Sequence, residues 1–339
     1  MIFLCLTATW VLMRGHHSAA HALAFSPQPI QLPSFFAGRL GNNAKATLTY
    51  THLEGNGQLW QANSGAATVS LVVDPLASQL DFGIPWGYRA NKKTLSEQAT
   101  IDLICDAHPS HCLLTMGLDD HTHLPTIKKL MEKIPALKYV VAPSAKKKLI
   151  DAGVDSSFIT VLRHGESCNV MEEAAVTATP GALVGPPWQM RENGFLLRLN
   201  GTKEKDVDTL SIYYEPHADV ILDSLQKMKI RADIIVSPVT KQSLPAKVPK
   251  RGQFTLVYGG DRTLEIAETL GAQVIVPLGN GVLDIEGPLA TLVEASGNVQ
   301  EFERLVEERN EKEVNLKGKY SKLIKVENPI PGVPLKVSL

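Results

Sequence analysis

Short β-branched and leucine-rich runs that stop abruptly at polar or turn-forming residues recur along this chain, and they restrict it to a protein built on buried sheets. The stretch Leu113-Leu114-Thr115-Met116-Gly117-Leu118-Asp119-Asp120-His121-Thr122-His123 passes from apolar residues straight into acids and imidazoles. Val140-Val141, Ile234-Ile235-Val236 and Val274-Ile275-Val276 repeat the theme, each ending near Pro, Ser, Gly or Asn. Runs of this length bounded by turn signals read as strands. A functional face is expected where they end.

The segments between these runs set the class. Thr47–Tyr50, Gln58–Trp60 and Val69–Val73 read as a meander joined by Gly55-Asn56-Gly57 and Asn63-Ser64-Gly65, ending at Asp74-Pro75, where proline cannot continue a ladder. Ser96–Cys105 then reads as a helix, and Ile127, Leu130, Met131 and Ile134 give a helical stripe behind Pro125. Ser144–Ala152 forms another helix, stopped at Gly153. Phe158–Leu162, Ala174–Ala178, Phe195–Leu199 and Thr209–Tyr214 return to strands, with turns at His164-Gly165 and Glu192-Asn193-Gly194. The closing portion reads as strands Ile234–Ser237 and Phe254–Tyr258, helix Thr263–Leu270, strand Gln273–Pro277 and a charged helix around Val299–Glu311. Two similar halves in this order predict an α/β fold, an αββα four-layer sandwich over residues 46–315, with residues 316–339 as a tail.

Charge narrows the partners. The 339 residues hold 34 Lys and Arg against 35 Asp and Glu, and the basic runs (Lys146-Lys147-Lys148, and Lys317 to Lys325 with gaps) lack interleaved aromatics. These are solvated helix faces rather than a nucleic-acid groove. The apolar run Met1 to Met13 is shorter than the about 20 residues a bilayer span needs, so a secretory signal fits better than a membrane anchor. Ala22-Leu23-Ala24-Phe25-Ser26-Pro27 resembles the alanine-phenylalanine-proline signature at the signal-to-transit junction of algae with secondary plastids. From there to Leu53 the chain has Arg39 and Lys45 but no acid. Residues 1–45 are therefore expected to be a bipartite plastid leader, the alternative being a plain secretory one. Cys5 falls in that leader, and Cys105, Cys112 and Cys168 lack CxxC spacing, so no disulfide framework or zinc ribbon is expected.

The residues at the strand ends resemble the metallo-β-lactamase superfamily, particularly its lactonase-like branch, from about Leu48 to Leu305. Val72-Val73-Asp74-Pro75 looks like that branch's strand-end aspartate-proline, and Leu113 to His121 like the strand and loop of the His-x-His-x-Asp-His motif. Val161 to Glu166 resembles the turn before the next hairpin, and Val176 to Gly181 the place of the next metal histidine. The ligands do not all transfer. Met116 and Leu118 stand where the motif's first histidines belong, no histidine follows Pro180, His217 of Glu215-Pro216-His217 stands at the place of a bridging aspartate, and Asn280 replaces the last histidine. The resemblance implies that Asp120, His121 and His217 hold one divalent ion, zinc before iron or manganese, with open positions for water. His123, Glu215 and Asn280 would complete the shell, Asp119 would orient an imidazole, and Asp120 would also accept a proton.

Structural roles compete with each of these. Asp119 to His123 could cap the Pro125 helix, His217 could be a polar strand end, and Gly259-Gly260-Asp261 reads as a turn with Asp261 as helix cap rather than a phosphate loop. His108 and His111 lie at the far end of the strand that starts at Cys112. Trp86 and Trp188, on proline-bearing loops, either line a pocket for a small-molecule ligand or pack on the sandwich edge. The expectation is a metal-dependent hydrolase of an ester, lactone or phosphoester. The alternative is a catalytically inactive fold member that binds a small molecule or a protein in the plastid, and an iron oxidoreductase ranks behind both.

Overall fold

Alternation of apolar residues between two faces of each strand builds the layers. The computed structural model describes residues 46–339 apart from 66, 185–187, 201–208, 245–253, 280–281 and 319–321, so the expected leader lies outside the described residues. Strands β1 (Thr47–His52), β2 (Gln58–Asn63) and β3 (Thr68–Val73) form an antiparallel meander. After a short β4 (Arg89–Asn91), helix α1 (Glu97–Asp106) leads to β5 (His111–Leu114), parallel to β3. Helix α2 (Leu124–Lys133), β6 (Lys138–Val141), α3 (Pro143–Asp151) and β7 (Ile159–Val161) extend the parallel part.

The second half repeats this plan. Strands β8 (Ser167–Met171), β9 (Ala174–Pro180), β10 (Asn193–Leu199) and β11 (Leu210–Tyr214) are antiparallel. After α4 (Leu222–Lys227), β12 (Ile234–Pro238) runs parallel to β11. Then come β13 (Lys241–Leu244), β14 (Phe254–Val257), α5 (Gly260–Leu270) and β15 (Val274–Leu278), and β15 lies parallel to β12. The chain closes with β16 (Asp284–Glu286), β17 (Glu294–Ser296), α6 (Val299–Lys317), β18 (Lys325–Val326) and β19 (Leu335–Ser338). Two seven-stranded sheets result, ordered β19-β1-β2-β3-β5-β6-β7 and β18-β15-β12-β11-β10-β9-β8.

Leu113, Val140, Ile234, Val236, Val274 and Val276 fill the layer between the sheets with Trp60, Phe195 and Tyr214. Their neighbours Cys112, Leu114, Tyr139 and Val141 point the other way, onto Ile101, Ile104, Ile127, Leu130 and Leu149 of the first three helices. Ile235 and Ile275 do the same on the second sheet, against Ile266, Ala267, Phe302 and Val306. Each strand thus serves two apolar layers, which is why the central runs are continuously apolar. This is the αββα sandwich.

Four expectations change. The stretch Phe254–Tyr258 does not enter a main sheet but forms a small one, β14-β13-β17. Asn193 and Gly194 are not a turn: they pair with Pro180 and Thr179 at the start of β10. The cap of α5 is Gly259 with no side-chain bond, and Gly260 is required because a Cβ there would meet the Phe302 ring at 2.5 Å. The boundary at residue 316 falls inside α6, and the supposed tail adds β18 and β19 to the edges of the two sheets.

Ile324 and Val337, both buried, anchor those edges, and burying such side chains contributes about 1.5–3 kcal/mol each. Removing residues 324–339 is therefore expected to lower the unfolding free energy by several kcal/mol, read as a lower urea midpoint. An unchanged midpoint would show the segment to be dispensable.

Candidate functional site

The C-terminal ends of β3, β5 and β11 meet on one aspartate. Asp74 is fully buried with φ of 41°, a left-handed conformation that a short polar side chain tolerates. Its Oδ1 accepts the N–H of Thr115 (2.9 Å), and its Oδ2 accepts the Thr115 hydroxyl (2.5 Å) and the phenol of Tyr214 (3.0 Å). The same oxygen lies 2.8 Å from Nδ1 of His121. A Trp60–Tyr214 edge contact, with ring centroids 6.1 Å apart, supports the phenol from the inter-sheet layer.

His121 stands between two carboxylates. Its Nε2 lies 3.3 Å from Asp120 Oδ2 and 3.1 Å from the amide nitrogen of Asn56. Burial works against a charged ring, but attraction to Asp120 and then Asp74, with hydrogen bonds to both, carries the His121 pKa up to about 10. Burial likewise opposes ionisation of Asp120, yet the adjacent imidazolium brings its carboxyl down to about 2. The centre is an Asp74–His121–Asp120 cluster that the Asn56 amide joins at His121 Nε2. Asn56 is reached through a second chain, in which Trp60 Nε1 donates to Gln58 Oε1 (2.9 Å) and Gln58 Nε2 donates to the Asn56 carbonyl (3.3 Å).

His217 faces His121 with ring centroids 5.4 Å apart. Burial and the positive charge of His121 hold it neutral, with a pKa of about 4. Behind it, Glu215 Oε2 accepts the backbone N–H groups of His217 (3.1 Å) and Asp219 (2.8 Å), and burial lifts the carboxyl to about 7. Among the described residues Glu215 Oε1, 3.9 Å from His217 Nδ1, has no hydrogen-bond partner, and neither does that Nδ1 nor Asp120 Oδ1.

A divalent ion needs three protein donors converging on one point. Among the described residues no group of three or more His, Cys, Asp and Glu side chains is arranged to hold one. Asp120 and His121 adjoin, with His121 Nδ1 held by Asp74 and Nε2 3.3 Å from Asp120 Oδ2, and the buried Met116 occupies the first histidine position of the motif. Among the described residues the implied metal site is not complete, and Asp120, His121 and His217 lie together, the first two 3.3 Å apart and the two imidazole rings with centroids 5.4 Å apart.

The remaining expectations fare unevenly. Asp119 bonds to Lys148, not to an imidazole. His123 is the N-cap residue of α2 without a side-chain cap bond, and its Nδ1 meets Thr126 Oγ1 at 2.8 Å, so neither an Asp nor a Thr caps that helix. His111 begins β5, at the strand end remote from Thr115. Asn280 lies outside the described residues. Trp86 and Trp188 project into solvent at 79% and 84% exposure, so neither packs on the sandwich edge. They are also absent from the walls of the open groove of about 700 Å³ beside the site, which include Arg191, Asp219, Ile221, Tyr258 and Arg262. Asn56, Thr115, Tyr214 and Tyr88 were not anticipated as site residues. Tyr88 stands close enough to Asp120 that burial and that carboxylate together push its phenol up to about 12.

Residues 50–279 match the sequence profile of the beta-lactamase superfamily domain. No curated protein matches the chain. Among solved structures, Igni18, a metallo hydrolase from Ignicoccus hospitalis, is similar at 14% identity and a TM-score of 0.52, covering 86% of this chain and 99% of that one. A possible metal-dependent hydrolase from Veillonella parvula is similar at 14% identity and a TM-score of 0.54, covering 87% and 100%. CmlA, a diiron beta-hydroxylase from Streptomyces venezuelae, is similar at 13% identity and a TM-score of 0.53, covering 88% of this chain but 55% of CmlA. At these identities the likeness is one of fold.

The ion network fixes a pH dependence. The folded-state pKa of His121, about 10, lies above its ordinary 6.5, so its contribution to stability is whole below pH 6.5 and is lost as pH rises toward 10. In urea unfolding, the stability gap between wild type and His121→Gln is expected to narrow steadily over that window. A gap independent of pH would show that the ring is neutral in the folded protein.

Proposed function

The chain belongs to the beta-lactamase superfamily, and we propose that it uses the superfamily's cleft to bind a small molecule without a metal, as a non-hydrolytic binding protein. Membership implies a divalent metal at these strand ends, and the fold neighbours include proteins described as metal-dependent hydrolases. One observation carries the departure. Among the described residues no three His, Cys, Asp or Glu side chains converge to hold an ion, and the buried Met116 stands at the motif's first histidine position. The imidazolium supplies the positive charge that an ion would otherwise bring between the two aspartates.

A mononuclear metal hydrolase acting on an ester, lactone or phosphoester is the alternative, with Asp120, His121 and His217 as ligands of zinc, iron or manganese. The 3.3 Å between Asp120 Oδ2 and His121 Nε2 favours it, because two donors each about 2.0–2.2 Å from one ion can lie that far apart. Elemental analysis by mass spectrometry on protein purified without an affinity tag separates the two. The binding protein is expected to carry far less than one equivalent of any transition metal, before and after dialysis against zinc. One equivalent, lost in His121→Ala and in His217→Ala, would establish the hydrolase site instead.

A further inference from the structure

A lysine drawn out of water without a carboxylate partner gives up its proton more readily, and the neutral amine is a nucleophile. Lys92 is such a residue. It lies partly buried between β4 and the N-terminus of α1. The nearby Arg89 and Lys93 carry ion pairs across the β4–β16 ribbon, with Glu286 at 3.5 Å and Asp284 at 3.6 Å. Lys92 makes no ion pair among the described residues, and its amine is bonded instead to the hydroxyl of Thr100. Thr100 is fully buried in the first turn of α1 and donates to the Ser96 carbonyl (2.9 Å), so it presents an acceptor to the amine.

Two effects disfavour the cation at this position. Burial brings the Lys92 pKa down to about 8. The N-terminal end of α1, where the Ser96 side chain accepts the Ala99 N–H (3.1 Å), opposes positive charge as well. Glu54 is the carboxylate that acts the other way. It is buried, and its oxygens are engaged by the backbone N–H groups of Lys93 (2.8 Å), Thr94 (3.0 Å) and Leu95 (2.7 Å). His52, buried and held neutral with a pKa of about 4, adds no charge.

The surroundings also select the product of a reaction at this amine. A carbamate would set a second anion near Glu54, and so would an acyl group bearing a carboxylate. A simple amide is neutral, and its remaining N–H can still donate to Thr100 Oγ1. We propose that Lys92 is a covalent modification site, acylated by a short, uncharged acyl group carried on a thioester or a phosphate. The lone pair of the neutral amine forms a C–N bond to the acyl carbon. The acyl C–S or C–O bond breaks, its electron pair leaves with the thiolate or phosphate, and the nitrogen's proton passes to water. The assignment is independent of what the cleft binds.

Site-resolved acylation of the full chain tests it. The protein is incubated separately with acetyl phosphate, acetyl-coenzyme A and succinyl-coenzyme A from about pH 6.5 to 10.5, and each lysine is followed by peptide mass spectrometry against the exposed Lys128 of α2. At about pH 7.5 Lys92 is expected to acetylate about tenfold faster than Lys128, with a half-maximal rate near pH 8 rather than the about 10.4 of an ordinary lysine. Reaction with one of the two acetyl donors alone would support the site and identify its source. Succinylation, taken as the same ratio to Lys128, is expected to be several-fold lower. A half-maximal rate near pH 10 would overturn the assignment by making Lys92 an ordinary amine, and acetylation no faster than at Lys128 with both donors would overturn it by showing the amine closed to them. An equal succinyl ratio would overturn the selection for an uncharged group.

Discussion

Asp74 is the group on which the meeting of the two sheets depends. It sits where β3 ends, takes the backbone and hydroxyl of Thr115 from β5, and takes the phenol of Tyr214 from β11 across the sandwich. Each donor comes from a different strand, so the carboxylate fixes three strand ends relative to one another. Its positive φ is a local cost that these bonds offset. His121 completes the set, and its ring is oriented before any ligand arrives.

Removing either aspartate from this arrangement leaves a buried imidazolium short of a partner, and breaking a buried pair costs about 3–5 kcal/mol. A buried network of this kind rigidifies the site more than it adds net stability. The rigidity has a functional consequence. With His121 committed to Asp74 and Asp120, the free polarity of the cleft resides in Asp120 Oδ1, Glu215 Oε1 and the neutral His217.

Much of this was legible in the sequence because it rests on local pattern. The apolar runs at Leu113, Val140, Ile234 and Val274 gave the central strands, since alternation within each run serves two apolar layers. Asp120, His121 and His217 could be named because their places match the metal-ligand positions of the superfamily that the chain resembles. Asn56 could not: inside Gly55-Asn56-Gly57 it reads as a turn residue, and its partner Asp120 is 64 positions away. Tyr214 is 140 positions from Asp74 and, inside an apolar strand, looks like core. The misread turn at Glu192 to Gly194 has a related cause. Gly194 serves close packing, with Thr179 Oγ1 only 2.7 Å from where its Cβ would stand, and sequence does not distinguish that need from a turn. In sequence the C-terminal segment reads as a tail because β18 and β19 are too short to show a period.

The protonation of His121 is the central claim, and nitrogen-15 NMR of the histidine side chains measures it directly. At pH 8, with one equivalent of zinc added, the His121 ring is expected to keep protons on both Nδ1 and Nε2, with nitrogen shifts unchanged by the metal. A His121 resonance with one unprotonated nitrogen that moves on zinc addition would contradict the account and make this ring a metal ligand.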